Sequence, residues 1–151
     1  YHWITKGYYT IYNPIPITLA LKYETQFIDV KQTLLLPADE RLYLGGGSDI
    51  RGFAFESIDA NSNGGVFSNV FSLEARFRLN DTLGLVSFYD VGYLIEDTEQ
   101  KLDKNWYSAA GLGLRYYTSF FPIRLDVAIP INVFDVQTGK YQYYISIGQS
   151  Y

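Results

Sequence analysis

One arginine stands out by its company. Arg51 lies in the run LYLGGGSDIRGFAF, residues 42 to 55, behind the consecutive glycines Gly45, Gly46 and Gly47 and close to Asp49, among apolar neighbours. A glycine run ahead of a charge can cradle phosphate, but that chemistry needs a Lys-Ser/Thr pair and a helix start after the glycines. Neither follows here. Glu74 and Asp90 offer a carboxylate pair for acid–base hydrolysis, yet nothing around them marks a substrate cleft, and ion pairing is the commoner fate of such residues. His2 is the only histidine, it sits at the chain end, and there is no cysteine, so no metal-ligand set is expected. Neither cofactor nor enzymatic turnover is expected. Two readings of Arg51 are left: a cation carried into a confined place, or an Arg on a solvated loop tip that touches nothing.

The elements that would position it are strands. From 123 to 131 the odd positions are Ile123, Leu125, Val127, Ile129 and Ile131, and the even ones are Arg124, Asp126, Ala128 and Pro130, an unbroken two-residue period. Residues 17 to 27 set Ile17, Leu19, Leu21, Tyr23 and Phe27 against Thr18, Ala20, Lys22, Glu24 and Gln26, with Thr25 as the one exception. Residues 70 to 79 separate Phe71, Leu73, Ala75, Phe77 and Leu79 from Ser72, Glu74, Arg76 and Arg78; residues 84 to 94 separate Leu85, Tyr89, Val91 and Tyr93 from Phe88, Asp90 and Gly92. In 107 to 117, Ala110, Leu112, Leu114 and Tyr116 oppose Gly111, Gly113 and Arg115. In 141 to 151, Tyr143, Ile145, Ile147 and Tyr151 oppose Tyr144, Ser146, Gly148 and Ser150, and an N-terminal run around 6 to 12 adds a further strand. No helical period appears, and no apolar run approaches the ~18 residues that mark a membrane-crossing helix.

The strands run to about nine to eleven residues, the length that crosses a hydrocarbon layer at a tilt. Their connections alternate. NPIP (13 to 16), NDT (80 to 82) and SFFP (119 to 122) are tight, whereas 30 to 66, 95 to 105 and 133 to 140 are long and rich in charge or glycine. Short turns on one side and long loops on the other are the pattern of an outer-membrane barrel. Aromatic residues make up 18% of the chain, and Tyr93, Trp106, Tyr107, Tyr116, Tyr117, Phe120, Phe121, Tyr141, Tyr143 and Tyr151 gather at strand ends, where amphipathic rings suit the lipid–water boundary. The net charge of −4 leaves no basic footprint for nucleic acid. The acidic run EDTEQKLDK (96 to 104) reads as a solvated loop.

One strand face is apolar and the other carries Lys22, Glu24, Glu74, Arg76, Arg78, Asp90, Arg115, Arg124 and Asp126. A soluble sandwich would show that charged face to bulk water. A membrane barrel must turn it to a wet lumen, since charge on the lipid side costs about 2 to 4 kcal/mol at the midplane. The strands read here number seven, an odd count that leaves unpaired edges in lipid. The chain, which contains no methionine, is therefore expected to be either a small barrel with one strand overlooked or a piece of a larger one.

Four motifs favour the larger barrel. GGGSDIRGF (45 to 53) resembles the sixth-extracellular-loop motif of the bacterial surface antigen superfamily, outer-membrane insertases and translocases that include BamA, TamA and the two-partner secretion transporters. SFYDVGY (87 to 93) is similar to that family's Phe-x-Asp-x-Gly strand motif through Phe88, Asp90 and Gly92. SAAGLGLRYYTSFFPIRLDVAIPI (108 to 131) is similar to its next hairpin and YYISIGQSY (143 to 151) to its terminal strand. Phe121-Pro122 departs from the usual Gly-Pro turn, and Tyr151 stands where Phe or Trp is commoner. GGGSDIRGF and SIGQSY are closer to TamA than to BamA.

The resemblance implies an all-β transmembrane barrel of roughly sixteen strands, of which residues 1 to 151 would be the C-terminal portion and its last seven strands, with periplasmic POTRA domains elsewhere. It implies that the loop at about 30 to 66 folds inward and that Arg51 meets carboxylates on the lumen wall. Glu74 and Asp90, on the lumen face of successive strands by parity alone, are the expected partners. Gly46, Gly47, Ile50, Arg51, Gly52 and Phe53 would be the loop side of this latch, and Glu74, Phe88, Asp90 and Gly92 the wall side, amid the lumen charges Arg76, Arg115, Arg124 and Asp126. Tyr143, Ile145, Ile147, Gly148 and Tyr151 would line the seam against the first strand, with Gly148 weakening packing there. The function implied is assembly or translocation of substrate β-barrel or autotransporter proteins in the Gram-negative cell outer membrane. Lipid, periplasmic or inner-membrane assembly factors would be its other partners. The alternative is a small closed outer-membrane barrel that binds or passes a solute, or serves a structural role.

Overall fold

The computed structural model describes residues 1–12, 14–29, 36–59, 63–96, 105–133 and 139–148. Seven strands form one antiparallel meander in chain order: β1 His2–Tyr12, β2 Pro16–Phe27, β3 Phe67–Arg78, β4 Leu83–Ile95, β5 Tyr107–Tyr117, β6 Pro122–Asn132 and β7 Gln142–Ile147. A single 3-10 turn, Ala38–Glu40, is the only helical element among the described residues. Long and short connections alternate along the meander, so the long β2–β3 segment that carries Arg51 leaves from the side opposite the tight turns.

Those turns are stabilised by local polar side chains. Asn80 Oδ1 accepts the backbone N–H groups of Thr82 at 2.9 Å and Leu83 at 2.8 Å, closing the β3–β4 turn on itself. In the β5–β6 turn, Thr118 Oγ1 accepts the N–H of Phe121 at 3.1 Å and donates to its carbonyl at 2.6 Å.

Burial divides the sheet as the two-residue period requires. Lys22, Glu24, Glu74, Asp90, Arg115 and Asp126 are buried, while Leu21, Leu73, Leu112, Leu125, Tyr143 and Ile145 are exposed. This is the reverse of a soluble sandwich, whose charged face is the solvated one. The apolar face needs a non-aqueous surrounding, and the charged face is covered by the chain's own loop.

Several boundaries differ from the pattern in the sequence. β1 starts at His2 rather than near Lys6, because it pairs with β2 over its full length, from His2 opposite Gln26 to Tyr12 opposite Pro16. Adjacent Trp3 and Ile4 blur its period. β3 begins at Phe67, which pairs with both Phe27 and Ile95. Among the described residues β7 spans Gln142–Ile147 and pairs with β6 from Ile123–Ile147 to Ala128–Gln142. The expected seam residue Tyr151, and most of the acidic run 96 to 104, lie outside the described residues. Between Ser108 and Ala109 the β5–β6 register shifts, with Ala109 opposite Pro130. A proline has no N–H for the ladder and is tolerated at such an irregularity.

Among the described residues the sheet does not close: β1 and β7 are its two edges. Each edge presents backbone groups that a bilayer would leave unsatisfied unless another strand pairs with them.

Gly111 keeps the wall thin where it matters. It stands opposite Phe88, and a Cβ there would overlap the Phe88 ring and the Val127 carbonyl. Gly111→Ala is expected to destabilise the folded barrel by about 1 to 3 kcal/mol through overpacking. A lower urea midpoint for the heat-modifiable gel shift of the whole protein would register this, and an unchanged midpoint would show that the ring moves aside freely.

Candidate functional site

Two isolated bridges define the base of the inward loop. Leu42 pairs with Gly65 and Leu44 with Ile58, each through reciprocal backbone hydrogen bonds at 2.7 Å and 3.0 Å respectively. Between these bridges the chain turns on Gly45 and Gly46, at φ of 107° and 115°. Such angles cost glycine nothing and strain any residue with a Cβ. The turn is also crowded, since a Cβ on Gly45 would lie 2.5 Å from the Ala54 carbonyl.

Apolar burial then holds the loop in the concave side of the sheet. Leu44, Ile50, Phe53 and Ile58 pack with Val70, Leu94, Tyr107 and Ala109 as one cluster, and the Phe53 ring meets Tyr107 edge-on at 5.8 Å. Gly52 at φ 103° lies where a Cβ would come within 2.6 Å of Ala109 Cβ and 3.2 Å of Pro130 N, beside the β5–β6 irregularity. Gly92 in turn admits Ile50, whose Cδ1 a Cβ would meet at 3.0 Å. The loop's own apolar side chains thus cover this part of the wall.

Into that buried setting the loop brings Arg51, which is 2% exposed. Its Nε and Nη2 donate to Asp90 Oδ2 and Oδ1 at 2.7 Å and 2.9 Å, and its Nη1 donates to Glu74 Oε1 at 2.6 Å. The backbone N–H of Arg51 adds a bond to Asp90 Oδ2 at 3.1 Å. The guanidinium carbon lies 3.5 Å from the centre of the Phe88 ring. Asp90 receives a two-pronged pair and Glu74 takes a third N–H, a division that a planar five-donor fork permits and a point-charge ammonium does not.

The ion pairs continue along the wall. Arg76 donates to Glu74 Oε2 at 2.8 Å, Arg115 donates to Asp126 Oδ1 at 2.5 Å, and Asp126 Oδ2 lies 3.8 Å from both Arg51 and Arg124. Arg51, Arg76, Arg115 and Arg124 thus share ion pairs with Glu74, Asp90 and Asp126. Arg124 Nε is buried without a hydrogen-bond partner among the described residues. It borders a concavity of about 920 Å³ that Lys22, Glu24, Asp49, Asp126 and Tyr144 also line.

Further contacts hold the loop elsewhere. Lys22 donates to the Ser48 carbonyl at 2.6 Å and to Glu24 at 3.1 Å. Tyr144 meets the backbone of Gly52 and Phe53, and its ring lies against Gly47, where a Cβ would stand 3.3 Å from Cδ1. Gly46 approaches Phe55 in the same manner at 3.3 Å.

The structure thus brings together Arg51, Glu74, Phe88 and Asp90, with Ile50, Gly52, Phe53 and Gly92 packed around them and Arg76, Arg115, Arg124 and Asp126 in the adjoining network. It does not bring Tyr143, Ile145 and Ile147 there, because they project from the apolar face of β7. Gly148, at φ 127°, donates its N–H to the Pro122 carbonyl at 3.0 Å. Sequence reasoning missed Tyr144 as a site residue, although its place on the lumen parity of β7 was a usable signal. It also missed the reach of Asp126 towards Arg51, which depends on sheet curvature and has no signal in the chain.

The inward loop thus carries Arg51 onto a wall of alternating parity, at Glu74 on β3 and Asp90 on β4. The family model described as the Omp85 superfamily domain matches residues 2–151. The chain belongs to the Omp85 superfamily. Omp85 proteins are Gram-negative outer-membrane β-barrels that cover protein insertion and translocation. The match is to the superfamily as a whole and does not divide TamA from BamA. Within this Omp85 chain, the four quoted motifs all fall on elements that touch the loop or the strand beside it.

Two outcomes follow from the geometry. Arg51→Ala would leave Glu74 and Asp90 buried without their guanidinium, with an expected loss of about 3 to 5 kcal/mol. Arg51→Lys, which restores charge but not the fork, is expected to recover only part of it; equal urea midpoints for the Lys variant and the parent would contradict the role of the fork. Asp49 gives a pH signature. Burial first, and then the charge of Glu24, push its carboxyl above the ordinary value of 3.8, against the pull of Lys22. The folded state binds this proton more tightly than the unfolded chain, so the contribution of Asp49 to stability falls as pH rises from 3.8 through the raised folded value. Asp49→Asn should therefore raise the unfolding midpoint at about pH 7 and lose that advantage under strongly acidic conditions. A midpoint difference independent of pH would refute the assignment.

Proposed function

We propose that this chain is the C-terminal portion of a barrel that inserts or translocates other outer-membrane proteins, with β7 as one side of a seam that opens laterally. The observation that carries this reading is the pairing of a buried inward loop with a β7 edge that is unpaired among the described residues. The loop occupies the concave side of the sheet, which argues against a simple solute pore. β7 shares register with β6 alone among the described residues, and only over Gln142–Ile147. A short edge strand is easily separated from its neighbour, and its exposed N–H and C=O groups can template an incoming strand.

In this reading a barrel of roughly sixteen strands closes when β7 meets a strand outside this chain. Substrates are β-barrel or autotransporter proteins that present a strand to the open seam, and no cofactor or covalent step is involved. The ion pairs of Arg51 hold the loop so that the lumen wall of β3 and β4 keeps its shape while the seam moves. Phe88 and Gly92 serve that wall, and Tyr143, Ile145 and Ile147 face lipid beside the seam. A small closed barrel is disfavoured by the separation of β1 and β7 as opposite edges of the sheet.

The test uses the whole protein in its membrane. A disulfide placed between β7 and the strand that closes against it should block substrate insertion until a reductant is added, and undiminished insertion with the bond formed would end the seam proposal. Arg51→Ala should lower substrate assembly at least tenfold at equal levels of folded barrel. Normal assembly by that folded variant would remove the latch from the mechanism.

A further inference from the structure

The Arg51 loop also meets β7, at the side chain of Tyr144. Gly52 donates its backbone N–H to Tyr144 Oη at 3.0 Å, and Tyr144 Oη donates to the Phe53 carbonyl at 2.6 Å. The hydroxyl therefore uses its single proton and one lone pair on two consecutive loop residues. The ring lies flat against Gly47, which has no side chain to push it away. Immediately before Gly52, the side chain of Arg51 is fastened to β3 and β4 through Glu74 and Asp90. Three successive loop residues thus join the middle of the sheet to its last described strand.

We propose that Tyr144 is a positioning residue that fastens β7 to the Arg51 loop, so that β7 departs from its place only when the loop backbone at Gly52–Phe53 lets go. The contact stands on the geometry, and its consequence for substrate handling rests on the lateral seam proposed above. β7 is the strand that needs such a fastening. It has six register pairs with β6, from Ile123–Ile147 to Ala128–Gln142, and its outward residues Tyr143, Ile145 and Ile147 are exposed. A strand with so few backbone partners opens easily, and the tyrosine shifts that balance from the lumen side. Because Arg51 and Tyr144 act on neighbouring residues of one loop, loosening either end weakens the hold of the other.

Tyr144→Phe tests this, because it removes the hydroxyl and leaves the ring on Gly47. Amide hydrogen exchange is measured on the whole protein in lipid nanodiscs, with substrate assembly assayed in parallel. Loss of the two hydrogen bonds should speed exchange across 142–147 by about tenfold and leave the amides of β3 and β4 unchanged. In an Arg51→Lys background, where the loop is already loosened, the same substitution should produce a smaller increase. Unchanged exchange in β7 would overturn the proposal. So would an equal rise in every strand, which is the mark of a general loss of stability, or the same factor in both backgrounds. Faster β7 exchange with unaltered substrate assembly would uphold the fastening and count against the seam.

Discussion

A guanidinium shared between two buried carboxylates is the interaction on which this structure depends. Arg51, Glu74 and Asp90 are 2%, 1% and 0% exposed, and none of the three could be buried alone without a large desolvation cost. Together they satisfy one another. Asp90 takes two N–H groups from the fork and one from the backbone, Glu74 takes a third from the fork, and Arg76 occupies the remaining Glu74 oxygen. The Phe88 ring closes the face of the guanidinium. Such a cluster is specific more than it is strong, since an apolar filling of equal volume could stabilise the wall as well. What it confers is a single register for the loop.

The rest of the loop is shaped to deliver that cation. Gly45 and Gly46 turn the chain with backbone angles closed to other residues, and Gly52 lets it lie against Ala109 and Pro130. Ile50 and Phe53, on either side of the Arg51–Gly52 pair, supply the apolar burial that offsets bringing a charge inward. The wall is adapted in the same sense. Gly111 and Gly92 leave room for Phe88 and Ile50, and the register shift at Ser108/Ala109 sits where the loop backbone passes. Loop and wall are therefore one packed unit, in a chain of the Omp85 superfamily, whose proteins are Gram-negative outer-membrane β-barrels.

Charge is distributed unevenly around this unit. Arg124 stands 3.8 Å from Asp126 and borders the concavity. Lys22, Glu24 and Asp49 line the same concavity as a second polar group, and Lys22 is tied to the Ser48 carbonyl. The loop is thus held from β2, from β3 and β4, and from β7, by contacts of different chemistry. Tyr144 of β7 meets the loop at Gly52 and Phe53, the two residues that follow Arg51.

Much of this was readable in the chain itself. Alternation assigns a side chain to one face or the other whatever the strand's neighbours are, so the placement of Glu74 and Asp90 on one wall, and of Leu73 and Tyr89 on the opposite one, followed from position alone. Glycine and tight-turn chemistry marked the hairpins for the same local reason. Distance across the sheet is another matter. That Asp126 comes within 3.8 Å of Arg51, that Tyr144 meets Gly52, and that apolar side chains cover the wall where the loop enters are consequences of curvature and of side chains drawn from strands far apart in sequence. The extent of β1 and β7 was equally non-local, because a strand lasts only as long as its neighbour pairs with it. Periodicity is a property of one segment, whereas burial and coupling belong to all the segments that meet, and only their packing decides them.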